Sequence, residues 1–183
     1  MNFETKILKF PLASELNVKV QSLLNSCFKH ETQEVADFEK ETHYDSPILY
    51  VLAFDGNELI GVTMVFIRPI RVLGEDVRLG GIGGVCTKEE HRNKGIATAL
   101  IKDGLSELKK LNCDVAYLGT DENLMPLYEA VGFIKLNKQC LVTGKSGKQL
   151  LRWGGMLAPI NSIEKLNLIV KNSEPFDLQG GEW

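Results

Sequence analysis

The chain has 183 residues, of which 44% are hydrophobic and 25% charged, with a formal net charge of −3. That length suits one domain with a sizeable core, and the balance excludes a disordered chain. No Lys/Arg cluster has the density of a nucleic-acid footprint, no run of about 18 apolar residues would span a membrane, and Met1–Lys6 lacks the apolar stretch of a signal peptide, so the expected compartment is the cytoplasm.

Lys6 to Phe10 predicts a first strand, ended by Pro11. Ser14 is placed to cap a helix from Glu15 to about Cys27, with Leu16, Val20, Leu23, Leu24 and Cys27 on one face. His30 to Tyr44 is polar and acidic with weak helical spacing through Val35 and Phe38, and reads as a solvated helix or as a lid facing a substrate. Ile48–Phe54 and Glu58–Ile67 form a hairpin about Asp55-Gly56-Asn57. Arg71 to Glu75 turns the chain into a glycine-rich strand from Val77 to Thr87. Gly80, Gly81, Gly83 and Gly84 make that strand intrinsically poor, and the reason is a bulge or the close approach of a ligand to the backbone. Past a polar turn, Ile96, Ala97, Leu100, Ile101, Gly104, Leu105, Leu108 and Leu111 recur at helical spacing. Asp114–Leu118 follows as a parallel strand, and Met125–Val131 as a short helix with Gly132 at its C-cap. Gln139–Thr143 and Gln149–Trp153 flank a hairpin loop at Gly144–Lys148, Leu166–Val170 reads as a last short strand, and a polar tail runs to Trp183. Nothing divides the chain, so residues 1–183 are expected to form a single domain.

The turn before the long helix carries Arg92 and Lys94, and Gly95 permits close backbone approach. A helix start leaves backbone N–H groups without partners and favours negative charge, which makes this an anion site suited to phosphate. Two rival phosphate motifs fail. The fingerprint Gly-x-Gly-x-x-Gly begun at Gly81 meets Cys86 where its last glycine belongs, and the Walker A pattern ending in Gly144-Lys145-Ser146 meets Gln139 where its first glycine belongs. Cys27, Cys86, Cys113 and Cys140 show no Cys-x-x-Cys spacing and read as reduced, core or half-buried thiols. The spacing of His30, His43 and His91 suggests no metal site.

Arg92-Asn93-Lys94-Gly95-Ile96-Ala97 resembles the Arg/Gln-x-x-Gly-x-Gly/Ala segment of the GNAT N-acetyltransferases, and Leu127-Tyr128-Glu129-Ala130-Val131-Gly132-Phe133 resembles that family's Leu-Tyr-x-x-x-Gly-Phe segment. The strand into Val85-Cys86-Thr87 is the third element, and the match covers a cofactor core of about 48–136, leaving C-terminal strands and tail at 137–183. The resemblance implies an α/β fold: a mixed, mostly antiparallel twisted sheet with helices on both faces and a splayed central strand pair. It implies acetyl-CoA as cofactor, its pyrophosphate held by Arg92, Asn93, Lys94, Gly95, Ile96 and Ala97, and its pantetheine arm by main-chain groups of Val85, Cys86 and Thr87. It implies direct acetyl transfer to a primary amine, with Tyr128 as the general acid. The partner is then a small, cationic amine, with no nucleic acid and no membrane, and a homodimer is compatible with this reading.

In one respect the chain departs from its relatives. Gly83 falls where aminoglycoside 2′-N-acetyltransferases carry a strand carboxylate, so the general base stays open among Glu31, Glu34, Asp37, Asp121, Glu122 and the carboxylates of the tail. The tail, Phe176 to Trp183, resembles the acidic, Trp-terminated end of those enzymes. That resemblance implies an acceptor site lined by Asp177, Glu182 and Trp183, where an ammonium would meet carboxylates and an indole face. The missing strand carboxylate also supports an alternative, a non-catalytic acyl-CoA-binding module.

Overall fold

The computed structural model describes residues 3–28, 40–152 and 154–183. Trp153 and the region expected as a polar helix or lid, with Glu31, Glu34 and Asp37, lie wholly or mostly outside these residues. Ten strands and four helices are described: β1 Glu4–Lys9, α1 Ser14–Cys27, β2 Leu49–Asp55, β3 Glu58–Val72, β4 Glu75–Thr87, α2 Ile96–Lys110, β5 Val115–Gly119, α3 Met125–Glu129, β6 Ile134–Lys135, β7 Cys140–Thr143, β8 Gln149–Arg152, β9 Gly155–Pro159, α4 Ile163–Lys171 and β10 Phe176–Asp177. Seven strands form one sheet in the order β1-β2-β3-β4-β5-β9-β6, and β10-β7-β8 form a second. All pairs in the large sheet are antiparallel except β4 with β5.

That parallel pair is short. It runs from Leu79↔Val115 to Gly81↔Tyr117 and stops, although both strands continue. The expected splay is therefore present, opening beyond Gly81 and Tyr117. Just past it β4 bulges, since Val62 pairs with Cys86 and Met64 with Gly83, and Gly84 takes φ +55° there. That left-handed backbone is one that side chains rarely tolerate.

Three apolar clusters close the structure. On one face α2 buries Ile96, Leu100, Ile101 and Leu108 against Val51, Ile60, Val65 and Ile82. The fit is close: a Cβ on Gly104 would come within 2.7 Å of Ile82 Cδ1. On the other face α1 places Val20 and Leu23 with Tyr50, Leu52 and Val62, while α4, β7 and the chain end pack on Leu79, Val115, Tyr117 and Leu157.

Several expectations need correction. Leu166–Val170 lies within helix α4, not a strand; Ser162 Oγ accepts the Lys165 N–H at 3.1 Å, and Leu166 and Ile169 bury one helical face. The strand β9 carries no periodic signal in the sequence, because Gly-Met-Leu-Ala between two sheet neighbours is buried on both faces and shows no polar alternation. Ser14 is the first helical residue of α1, not its cap; Ala13 holds the cap position with no side-chain bond. Cys27 and Cys86 are joined by a disulfide, because docking α1 on β4 brings their Cα atoms to 6.2 Å. Cys113 and Cys140 are buried free thiols, as expected. Among the described residues no helix is long and apolar enough to cross a membrane.

Candidate active site

The long helix α2 begins at an exposed turn. Arg92, Asn93, Lys94 and Gly95 are all exposed, and Gly95, at φ +78°, is the left-handed residue from which the helix starts. Ile96 is buried in the core and Ala97 half-buried, so at this site they offer backbone N–H groups. The first turn of α2 holds no acidic residue, so it supplies no counter-charge of its own to the helix's positive end. Next to it Arg92 Nε lies 3.4 Å from the Thr87 carbonyl, and Lys94 Nζ donates to the Glu90 carbonyl at 2.6 Å. Glu58, Glu90 and His91 also meet at this surface, but the Lys88 ammonium already pairs with both carboxylates, 2.7 Å from Glu90.

Past Gly81 and Tyr117 the splay opens on a cavity of about 690 Å³. Gly83, Gly84 and Val85 of β4, Leu24 and Asn25 of α1 with the following Phe28, and Tyr128 of α3 line it. Of the expected pantetheine strip, Val85 lines the cavity. The Cys86 side chain turns away into the disulfide, and Thr87 Oγ1 is buried without a partner. Tyr128 packs its ring edge-on to Phe133 at 6.1 Å and is 7% exposed. Burial raises its pKa above the usual phenol value, with a Thr120 interaction pulling the other way.

The chain end forms the opposite wall. β10 pairs with β7, Thr143 N–H donates to the Gly180 carbonyl at 2.7 Å, and Glu182 exchanges backbone bonds with His43 and Asp45. Arg68, buried on the inward face of β3, donates to the carbonyls of Leu178 (2.7 Å) and Gly181 (2.9 Å), pairs with Asp45, and lies 4.7 Å from the centre of the Trp183 ring. Trp183 stacks on Phe66 at 5.7 Å and meets Tyr117 edge-on at 6.0 Å. This also accounts for two of the β4 glycines. A Cβ on Gly81 would collide with the indole, and one on Gly83 would come within 2.8 Å of the Trp183 backbone carbonyl carbon and 3.1 Å of its oxygen. The Trp183 backbone thus occupies the space into which a strand side chain at 83 would project.

Of the expected acceptor residues, Glu182 and Trp183 line the cavity, with Glu182 held by Arg152 at 2.6 Å. Asp177 is not among the lining residues; its carboxylate accepts the Gln179 N–H at 2.8 Å. Among the candidate bases Asp121 lines the cavity, whereas Glu122 pairs with Lys135 at 2.7 Å outside it.

An acetyltransferase (GNAT) domain description matches residues 12–135, about two thirds of the chain. The chain belongs to the GNAT acetyltransferase family. Membership implies acyl transfer from an acyl-CoA, and the bare helix start beside an open splay fits such a ligand. Solved structures share the GNAT fold at low identity. An Escherichia coli GNAT family N-acetyltransferase, YhbS, in complex with CoA is 19% identical over 97% of this chain and 89% of that one, with TM-score 0.59. The NatC complex bound to Gag peptide and CoA contains a chain 20% identical, covering 87% of this chain and 99% of its own, with TM-score 0.62. A probable N-acyltransferase from Enterococcus faecalis V583 is 20% identical over 76% of this chain at TM-score 0.57, and the match spans about a third, 34%, of that longer chain. No curated protein matches.

Sequence reasoning passed over Arg68, Phe66, Tyr117 and Arg152. For Arg68 a signal existed: strand alternation puts it on the same face as Phe66 and Ile70, and a charge on an apolar face needs a buried partner. Arg152, Phe66 and Tyr117 gave none, since their roles depend on where the chain end lies.

Proposed function

We propose that this GNAT protein moves acetyl directly from acetyl-CoA to a primary amine of a small cationic molecule. The observation that carries the reading is that Tyr128, Asp121, Glu182 and Trp183 line one cavity at the mouth of the splay. Acetyl-CoA supplies an acetyl group as a thioester. Arg92, Asn93, Lys94, Gly95, Ile96 and Ala97 hold its pyrophosphate, and main-chain groups of Val85, Cys86 and Thr87 hold its pantetheine arm. Asp121 and Glu182, set against Arg152, draw in the ammonium, and Trp183 offers it an aromatic face.

An ammonium has no lone pair and must lose a proton before it attacks. With no carboxylate at position 83, the cavity-lining carboxylates of Asp121 and Glu182 stand to take that proton. Tyr128 gives its phenolic proton to the departing thiolate. The second amine proton leaves as the amide forms, so one proton is released to solvent overall.

The test is a panel of amines, among them aminoglycosides, polyamines, amino acids and short peptides, offered with acetyl-CoA while products are read by mass spectrometry. Acetylated product from a cationic small amine is expected. Acetyl-CoA binding with no product from any amine would instead favour the non-catalytic acyl-CoA-binding module.

A further inference from the structure

We propose that the Cys27–Cys86 disulfide is a redox-controlled staple on the acceptor cavity, and that cutting it weakens amine binding. The proposal rests on the amine-acetyltransferase reading for its kinetic consequence. Cys27 is the last residue of α1 and Cys86 the penultimate residue of β4. Phe28, directly after Cys27, and Val85, directly before Cys86, both line the cavity, as do Leu24 and Asn25 of α1. The sulfur bridge therefore ties the α1 wall to the β4 floor one residue from the cavity on each side.

Among the described residues, little else holds that end of α1. Leu23 is buried and Leu24 half-buried, but Asn25, Ser26 and Phe28 are exposed. Among the described residues no ion pair involves residues 20–28, and the last turn of α1 carries no basic side chain to meet its dipole. With the bridge cut, the wall is held by the apolar contacts of Val20, Leu23 and Leu24.

The chemistry suits a reversible couple. Cys27 is half-buried and Cys86 only 3% exposed, so Cys27 Sγ is the reachable sulfur. A thiolate of a dithiol reductant attacks Cys27 Sγ, the S–S bond breaks, and its electron pair leaves on Cys86 Sγ, which takes a proton. The reductant's second thiol then displaces Cys27 from the mixed disulfide, and Cys27 takes the second proton. Two electrons and two protons pass to the protein, and the dithiol becomes a disulfide. The other two cysteines are poor participants: both are buried, and burial pushes their thiols up to about 11.

The experiment poises the full chain in buffers of defined oxidised-to-reduced dithiothreitol ratio. Alkylation and mass spectrometry report the Cys27–Cys86 state, amine kinetics are followed by chromatography of the acetylated product, and hydrogen exchange is read over residues 23–27. Reduction should raise the amine KM at least about fivefold, move acetyl-CoA affinity less, speed exchange at 23–27, and reverse on reoxidation. Cys27→Ser should match the reduced protein and lose the response, while Cys113→Ser should keep it. Equal amine KM in the two forms would overturn the proposal and leave the acetyltransferase reading intact. If neither form acetylates any amine, that reading fails, and exchange alone decides the staple: an α1 end indifferent to reduction overturns it.

Discussion

Tyr128 sits at 7% exposure, and burial lifts its pKa above that of a free phenol, so its proton stays in place across the neutral range. Tyr128→Phe keeps the ring that packs on Phe133 and removes only that proton. It is expected to lower kcat by about 10²-fold or more while calorimetric acetyl-CoA affinity stays put; a kcat within about twofold of wild type, with chemistry limiting turnover, would reduce Tyr128 to packing. A second residue-scale expectation concerns alkaline stability. Burial raises the pKa of Tyr117 and Tyr128, and pushes Cys113 and Cys140 from 9.0 to about 11. The unfolded chain ionises these groups first, so above pH 9 the folded state binds more protons than the unfolded one and stability falls with pH. Urea midpoints should be level up to about pH 8 and decline between pH 9 and 11; a level profile through pH 11 would mean these groups titrate normally.

At the scale of elements, the start of α2 and the tail make separable predictions. Lys94→Glu reverses a charge at the helix start, and Gly95→Val forces a β-branched residue into φ +78°. Each should weaken acetyl-CoA binding at least about tenfold, near 1.4 kcal/mol, with folding largely retained because the turn is exposed; unchanged affinity in both would move the pyrophosphate elsewhere. Arg68→Met removes the group that holds two tail carbonyls, Asp45 and the Trp183 face. Removing one member of a buried pair costs about 3 kcal/mol, taken at the low end because Asp45 is 33% exposed. Denaturant unfolding should show that loss, and the amine KM should rise more than the acetyl-CoA KM. How legible each element was follows from how local its signal is. The helix α2 and its turn were readable because Leu100, Ile101 and Leu108 repeat at helical spacing beside an unmistakable glycine. Segment 166–170 was not, since Leu166, Leu168 and Val170 alternate like a strand, and only the Ser162 cap with burial of Leu166 and Ile169 selects a helix. The disulfide was illegible for a related reason: 59 residues separate its cysteines, and only the docking of α1 on β4 brings them together.

At the scale of the molecule, the site joins parts that are far apart in sequence. The turn proposed for the pyrophosphate and Tyr128 both lie in the segment that matches the GNAT family, where local motifs mark them in the sequence. The proposed acceptor side depends on the last residues returning across the sheet to lie over Gly81 and Gly83. The glycine-rich run in β4 therefore showed that something approaches the strand, and the structure shows that the chain's own end does so. That placement leaves Asp121 and Glu182 as the cavity-lining carboxylates among the described residues, with none at position 83. It also sets the most direct test. Glu182→Gln keeps the shape of the side chain and removes its negative charge from the cavity. Measured against the native chain on the best amine of the panel, kcat/KM should fall at least about tenfold with acetyl-CoA affinity unchanged, whereas Glu174→Gln, which does not line the cavity, should change nothing. A Glu182→Gln protein that acetylates the amine with native kcat and KM would contradict the central claim that the tail completes the acceptor site.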